Sequence, residues 1–222
     1  MEQSYRKLLT ESQQKERTAL SKKWQKVNHP KKGQCCTVGP IKDLNDIKKL
    51  KEYLRQKSAR DYCLWVLASN NGLRMIDILR LKVKDLIDLE PGETIKVKET
   101  KTKKTNIVCL NSTAYEALHN YLKKGKHTEP NDWLFPSQMH PKNSIDTTGV
   151  NLMIKSWCKK LKIKGNFGSH TCRKTWGYHQ RVTHKTDITI IMKRFSHSSL
   201  DQTLRYIGLS EEEVNGALLN EI

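Results

Sequence analysis

The chain has 222 residues, 36% of them hydrophobic, and carries 41 Lys and Arg against 23 Asp and Glu, a formal net charge of +18. That length gives one sizeable domain, or a domain with a small appendage. The charge excess exceeds what solubility needs and points to a polyanion, nucleic acid by default, with a ribosome-like or merely cationic surface as the plainer alternative. Six cysteines without C-x-x-C spacing give no disulfide scaffold and no zinc signal, and no signal peptide or membrane-spanning run is present, so a soluble cytoplasmic protein is expected.

Residues 1–42 differ from the rest. Positions 4–27 are rich in Lys, Arg, Gln and Glu, with a thin apolar stripe at Leu8, Leu9, Leu20 and Trp24. The expectation is a basic polar arm or linker, broken at Asn28-His29-Pro30. From Asp43 the pattern is globular. Leu44, Ile47, Leu50 (or Lys51) and Leu54 recur at helical spacing behind a cap at Asp43 or Asn45. Residues 59–69 read as a second, buried helix that ends at Asn70-Asn71-Gly72. Residues 73–81 start a third, with Leu73 and Arg74 at its N-terminus, where backbone N–H groups favour an anion.

Residues 82–110 switch to extended periodicity, with Ile95, Val97, Ile107 and Val108 flanking a Lys-rich connection at 100–105. A small antiparallel sheet with a basic hairpin tip is expected. Residues 112–122 return to helix with Thr113 and Glu116 at capping-box spacing. A loop follows over 125–144, pinned by Trp133, Leu134 and Phe135, and then an amphipathic helix over 146–161. A last helix is expected over 211–219. The fold class is therefore α+β, mainly helical with one small β-hairpin.

The densest chemistry lies between Ser169 and Ile207. With Ser169 as a cap, His170 and Arg173 share a helix face beside Lys174, while Cys172, Trp176 and His179 turn to the core. An arginine fork suits phosphate oxygens, although His-x-x-Arg alone describes a solvated face equally well. Ser198 and Ser199 cap a short helix from Leu200 that carries Tyr206, with Leu204 and Ile207 packing inward. A tyrosine has a pKa of about 10, so only about one part in a thousand is phenolate at neutral pH. To act as a nucleophile it needs cations nearby, and Arg74, Arg173, His170, His197 and a hairpin Lys are suitable. Each of these residues taken singly has a structural reading.

Together, Asn71-Gly72-Leu73-Arg74, Lys101-Thr102 on a hairpin, His170-x-x-Arg173, His197 and Tyr206, in that order, resemble the catalytic domain of the tyrosine recombinases (phage integrase family). The resemblance covers residues 41–219. It implies that Arg74 and Arg173 grip the non-bridging oxygens of the scissile phosphate, with Asp77, one turn after Arg74, bracing the site. It also implies that Lys101 protonates the leaving 5′-oxygen, with Lys103 and Lys104 as rivals that otherwise contact DNA alongside Lys174. His170 then assists proton transfer, His197 hydrogen-bonds the phosphate, and Tyr206 forms a 3′-phosphotyrosyl link. The chain departs from the family at Cys172, Lys174 and Ser196, and its hairpin tip lacks glycine. Residues 1–42 are too short for the family's core-binding domain, so 43–222 is expected to be the catalytic domain of a longer protein or of a minimal member.

The implied reaction needs no metal or other cofactor. Its partners are double-stranded DNA, further copies of the chain in a tetrameric synapse, and accessory DNA-bending proteins, at a bacterial, archaeal or phage nucleoid. The helix at 211–219 is the candidate for a contact exchanged between copies. The rivals are a type IB topoisomerase, a hairpin-forming resolvase, and a DNA-binding regulator whose site is inactive.

Overall fold

The computed structural model describes residues 37–125 and 129–209; most of the N-terminal arm and the expected helix over 211–219 lie outside them. Helix α1 (Leu44–Lys57) starts where the Asp43 carboxylate accepts the Asn45 N–H at 2.7 Å, and it buries Leu50 and Leu54. Helix α2 (Ala59–Asn71) is capped by Ser58 and has every side chain from Asp61 to Ala68 buried. A helix buried all round is the centre of a domain. Accordingly α2 packs against α1, α5 and α7 (the latter two described below).

Gly72 ends α2 at φ 59°. A Cβ there would lie 2.5 Å from Trp176, so only glycine fits both the left-handed turn and the indole. The turn delivers Arg74 as the N-cap of α3 (Met75–Ile78), a single turn where a longer helix over 73–81 was expected. A second single turn, α4 (Val83–Leu86), occupies the start of the stretch expected to be extended. Its Asp85 carboxylate accepts the Lys82 N–H at 2.7 Å, a local bond that stops a strand from forming there. The sheet begins only at β1 (Thr94–Lys98), which pairs antiparallel with β2 (Thr105–Cys109), Lys98 facing Thr105 at the tip.

Helix α5 (Ser112–Lys124) is capped by Asn111, whose side chain accepts the Ala114 N–H; the Thr113–Glu116 spacing is not the cap. The following loop is pinned by Leu134 and Phe135, both fully buried, and leads to α6 (Thr147–Lys160), capped by Asp146. The C-terminal part is α7 (Thr171–Val182), α8 (Ile188–Phe195) and α9 (Leu200–Ile207). Ser169 does not cap α7. Instead the buried Thr171 hydroxyl accepts the Gly168 N–H and donates to the Gly39 carbonyl, both at 3.0 Å. Ser199 caps α9 as expected. Ile191, Phe195 and Ile207 form a second small core beneath α8 and α9, with Trp176 and Tyr206 against it.

Candidate active site

Phe195 closes α8 and is the floor of the site. Its buried ring lies 5.2 Å from the His197 ring, 5.3 Å from Tyr206 and 5.5 Å from Trp176. The Arg173 guanidinium sits 4.3 Å above its centroid. Arg173 is only 2% exposed, and it donates to the Gly72 carbonyl at 2.9 Å and the Phe195 carbonyl at 2.8 Å. One arginine thus ties the ends of α2 and α8 to α7. Burial, with the charges of Arg74 and Arg194, pulls its pKa down to about 10, so it stays cationic at neutral pH.

Tyr206 comes to this arginine from α9. Its hydroxyl lies 3.1 Å from His170 Nδ1, and its ring is 5.0 Å from His197 and 5.9 Å from the Arg173 guanidinium carbon. Burial raises the Tyr206 pKa, and it outweighs the opposing pull of Arg173 and Arg74. The cationic neighbours therefore limit that rise without making the phenol a phenolate. A tyrosine in this state needs a proton acceptor as it reacts. His170 is one. Partial loss of water around its ring, which keeps an exposed edge, then the charges of Arg173, Lys174, Arg74 and Lys101, lower its pKa and favour the neutral imidazole.

His197 is placed by the left-handed Ser196 (φ 54°), which takes the position where glycine is the easier residue. Its Nδ1 lies 3.1 Å from the Thr203 hydroxyl, which itself donates to the Ser199 carbonyl at 3.1 Å. With that one hydroxyl proton spent, Nδ1 carries the histidine's proton and Nε2 is left as an acceptor. Burial, Arg173 and Arg74 lower the His197 pKa to about 4. A phosphate brought to Nε2 would supply the negative charge that reverses this balance.

Asp77 is buried at 4% exposure, and its Oδ1 accepts the Thr100 N–H at 2.7 Å. It thereby ties α3 to the hairpin that carries Lys101. Lys101 stands exposed in the hairpin turn, and its charge is felt at His170. Lys103, at φ 59°, and Lys104 are exposed in the same turn; Lys103 lines a cavity of about 420 Å³ shared with Asp77 and Glu99. Lys174 departs from expectation. It is 5% exposed and its ammonium lies 4.9 Å from the Tyr206 ring centroid, so it is a neighbour of the tyrosine and not an open DNA contact. Packing of α9 on α7 covers the face that the helical wheel left to solvent.

Three residues that the sequence did not single out complete the arrangement. Glu99 pairs with Arg74 at 2.6 Å, Asn106 donates to Glu99 at 3.0 Å, and Arg194 donates through Nε to the Asn71 carbonyl at 2.9 Å. Arg194 also reaches the Asn106 side-chain oxygen. The one signal in the sequence was Glu99 itself, an acidic residue inside a run of Lys and Thr. A cavity of about 890 Å³ beside Trp133 and Lys142 contains none of the site residues.

The model of the phage integrase family matches residues 42–213. The chain belongs to that family. It is 32% identical over 180 residues to a probable integrase/recombinase, YoeC, of Bacillus subtilis, a match covering 81% of this chain and 94% of the relative. It is 31% identical over 170 residues to a tyrosine recombinase of Pseudothermotoga lettingae, covering 76% of this chain and 56% of that one. Among solved structures, the XerA recombinase superposes with a TM-score of 0.68 at 24% identity, over 84% of this chain and 67% of that chain. XerH bound to its palindromic difH substrate gives 0.66 at 19% identity, over 82% and 53%. The α+β fold, mainly helical with one two-stranded antiparallel sheet, is thus that of the tyrosine recombinase catalytic domain, and the integrase's activity class is site-specific recombination by a tyrosine-type enzyme. Among the described residues no helix is long and apolar enough to cross a membrane.

Proposed function

We propose that this integrase cuts and rejoins double-stranded DNA with Tyr206 as the nucleophile. The phenol oxygen attacks the scissile phosphorus and passes its proton to His170. The P–O5′ bond breaks, Lys101 gives its proton to the leaving 5′-oxygen, and a 3′-phosphotyrosyl link holds the cut strand. A 5′-hydroxyl of the partner strand then reverses the steps. The bond count is conserved, so the reaction itself calls for neither ATP nor a metal.

Arg74 and Arg173 neutralise the two non-bridging oxygens as the phosphorus becomes five-coordinate, and His197 joins them once protonated. Lys103 and Lys104 contact the DNA backbone near the hairpin. The observation that carries this reading is the Tyr206 hydroxyl 3.1 Å from His170, with Arg173 and His197 around the same ring. Residues 43–222 act as the catalytic domain and 1–42 as a basic arm. Strand exchange needs several such sites, so a tetramer on two DNA duplexes is the working assembly, with accessory DNA-bending proteins setting direction at the nucleoid.

The test is covalent capture. A pool of duplexes with a randomised core is incubated with the protein, the covalently held DNA is sequenced, and nicked suicide duplexes are built from it. Wild type is expected to give a denaturation-resistant adduct. Tyr206→Phe is expected to give none while its affinity for the duplex stays within about threefold, because it removes one hydroxyl from a half-buried ring. An adduct from Tyr206→Phe would overturn the assignment. Lys101→Met is expected to cleave slowly on ordinary DNA and to recover when the leaving oxygen is replaced by sulfur, which departs without a proton.

A further inference from the structure

Glu99 has no exposed surface, at the point where β1 runs into the hairpin turn. A buried carboxylate is unfavourable unless its oxygens are paired. Here both are. Oε2 accepts from Arg74 Nη1 at 2.6 Å and from the Thr102 hydroxyl, and Oε1 accepts from Asn106 at 3.0 Å. Burial pushes this carboxyl up, but the bonds from Thr102, Asn106 and Arg74 together with the Arg74 charge outweigh it and hold its pKa below the ordinary value. It is an anion at neutral pH.

The backbone of Glu99 also closes the turn that carries Lys101. Its N–H donates to the Lys104 carbonyl at 2.9 Å, and its own carbonyl accepts the Lys103 N–H at 3.0 Å. Asn106 carries the connection onward, since its amide lies 3.3 Å from the Arg194 carbonyl and its oxygen accepts from the Arg194 guanidinium. Arg194 in turn holds Asn71, three residues before Arg74. One buried carboxylate thus touches Arg74 with its side chain and the Lys101 turn with its main chain. Among the described residues Arg74 is held through Nη1 alone, which leaves the Nε–Nη2 edge with the two parallel N–H groups that suit a phosphate.

We propose that Glu99 is a positioning residue for strand cleavage: it aims the free edge of Arg74 and sets the Lys101 turn against it, so the phosphate grip and the leaving-group acid move as one unit. The proposal rests on the roles given above to Arg74 and Lys101. Glu99 touches no reacting atom and acts only through these two. A mere ballast for Arg74's charge would leave the Lys101 step alone.

The experiment measures the single-turnover rate of adduct formation and the duplex affinity for wild type, E99Q, T102V and K101M. The probe is the nicked duplex obtained from covalent capture, with either oxygen or sulfur as the leaving atom. E99Q is expected to cleave at least about tenfold more slowly than wild type, with affinity changed by less than about threefold. T102V, which removes one bond to the same oxygen and the 3.3 Å acceptor of the Lys104 N–H, is expected to be slowed in the same direction by about threefold.

Sulfur should restore K101M to near the wild-type rate and E99Q only in part, because the Lys101 share of its defect is repaired and the Arg74 share is not. Full rescue of E99Q, or none, would overturn the joint role. So would a wild-type rate in E99Q, or a loss of rate matched by an equal loss of affinity. Should E99Q fail to fold on thermal melting, T102V decides, and an unchanged rate there overturns the proposal. A wild type that captures no duplex overturns the cleavage reading, and this proposal with it.

Discussion

His197 is neutral in the folded domain, with a pKa near 4 against an ordinary 6.5. A depressed histidine binds fewer protons when folded than when unfolded, so its contribution to stability is present above pH 6.5 and is lost as pH falls toward 4. His170 and His179, lowered first by their loss of water, act in the same direction. Because His197 keeps some exposure, the expected effect is discounted to about 1–2 kcal/mol. Melting curves at pH 7.5 and 4.5 should show wild type losing that much more stability than His197→Gln; equal losses would place the imidazole in water. Residue types and their order along the chain were enough to mark Arg74, His170, Arg173, His197 and Tyr206 as candidates, and each stands at or near the end of a helix. Glu99 and Arg194 were hidden because their partners are 25 and 123 residues away. A carboxylate in a Lys-Thr run reads as a solvated charge until the fold buries it.

Helix ends, more than helix faces, build the site. Gly177 on α7 has no room for a side chain: a Cβ would meet Ile207 and Phe195, both at 2.7 Å. That closeness lets α9 rest on α7 and brings Tyr206 over Arg173. Gly177→Ala is expected to lift α9, cost about 1–3 kcal/mol and slow adduct formation more than it weakens DNA binding. Gly72→Ala combines the Trp176 clash with a left-handed φ, so a loss of about 2–4 kcal/mol is expected in a denaturant titration. A melting point within a degree of wild type would contradict both. Periodicity located the long helices well, because α1, α5 and α6 each show one face to a single core. It failed over 73–93, where two one-turn helices are held by side-chain bonds such as Asp85 to the Lys82 N–H. It failed again at Lys174, since a helical wheel says which residues share a face but not which neighbour covers it.

Across the whole chain, the net charge of +18 makes DNA binding largely a matter of counterion release. The logarithm of the affinity should fall linearly with that of salt concentration, by about 0.9 per phosphate contacted. A flat response would remove the electrostatic reading of the composition. The sequence carried this expectation without any structure, because net charge does not depend on the fold. Which bases are read is a different matter, fixed by the few side chains that reach base edges, which net charge does not specify.

The 3.1 Å between Tyr206 and His170 joins two residues of the same polypeptide. On the roles proposed above, each chain holds nucleophile, proton acceptor and arginine grip as its own set, and cleavage is expected in cis. Mixing Tyr206→Phe protein with Arg173→Ala protein should not restore adduct formation. If the mixture regains activity, tyrosines are being donated in trans, and the assembly trades its active-site parts between neighbours.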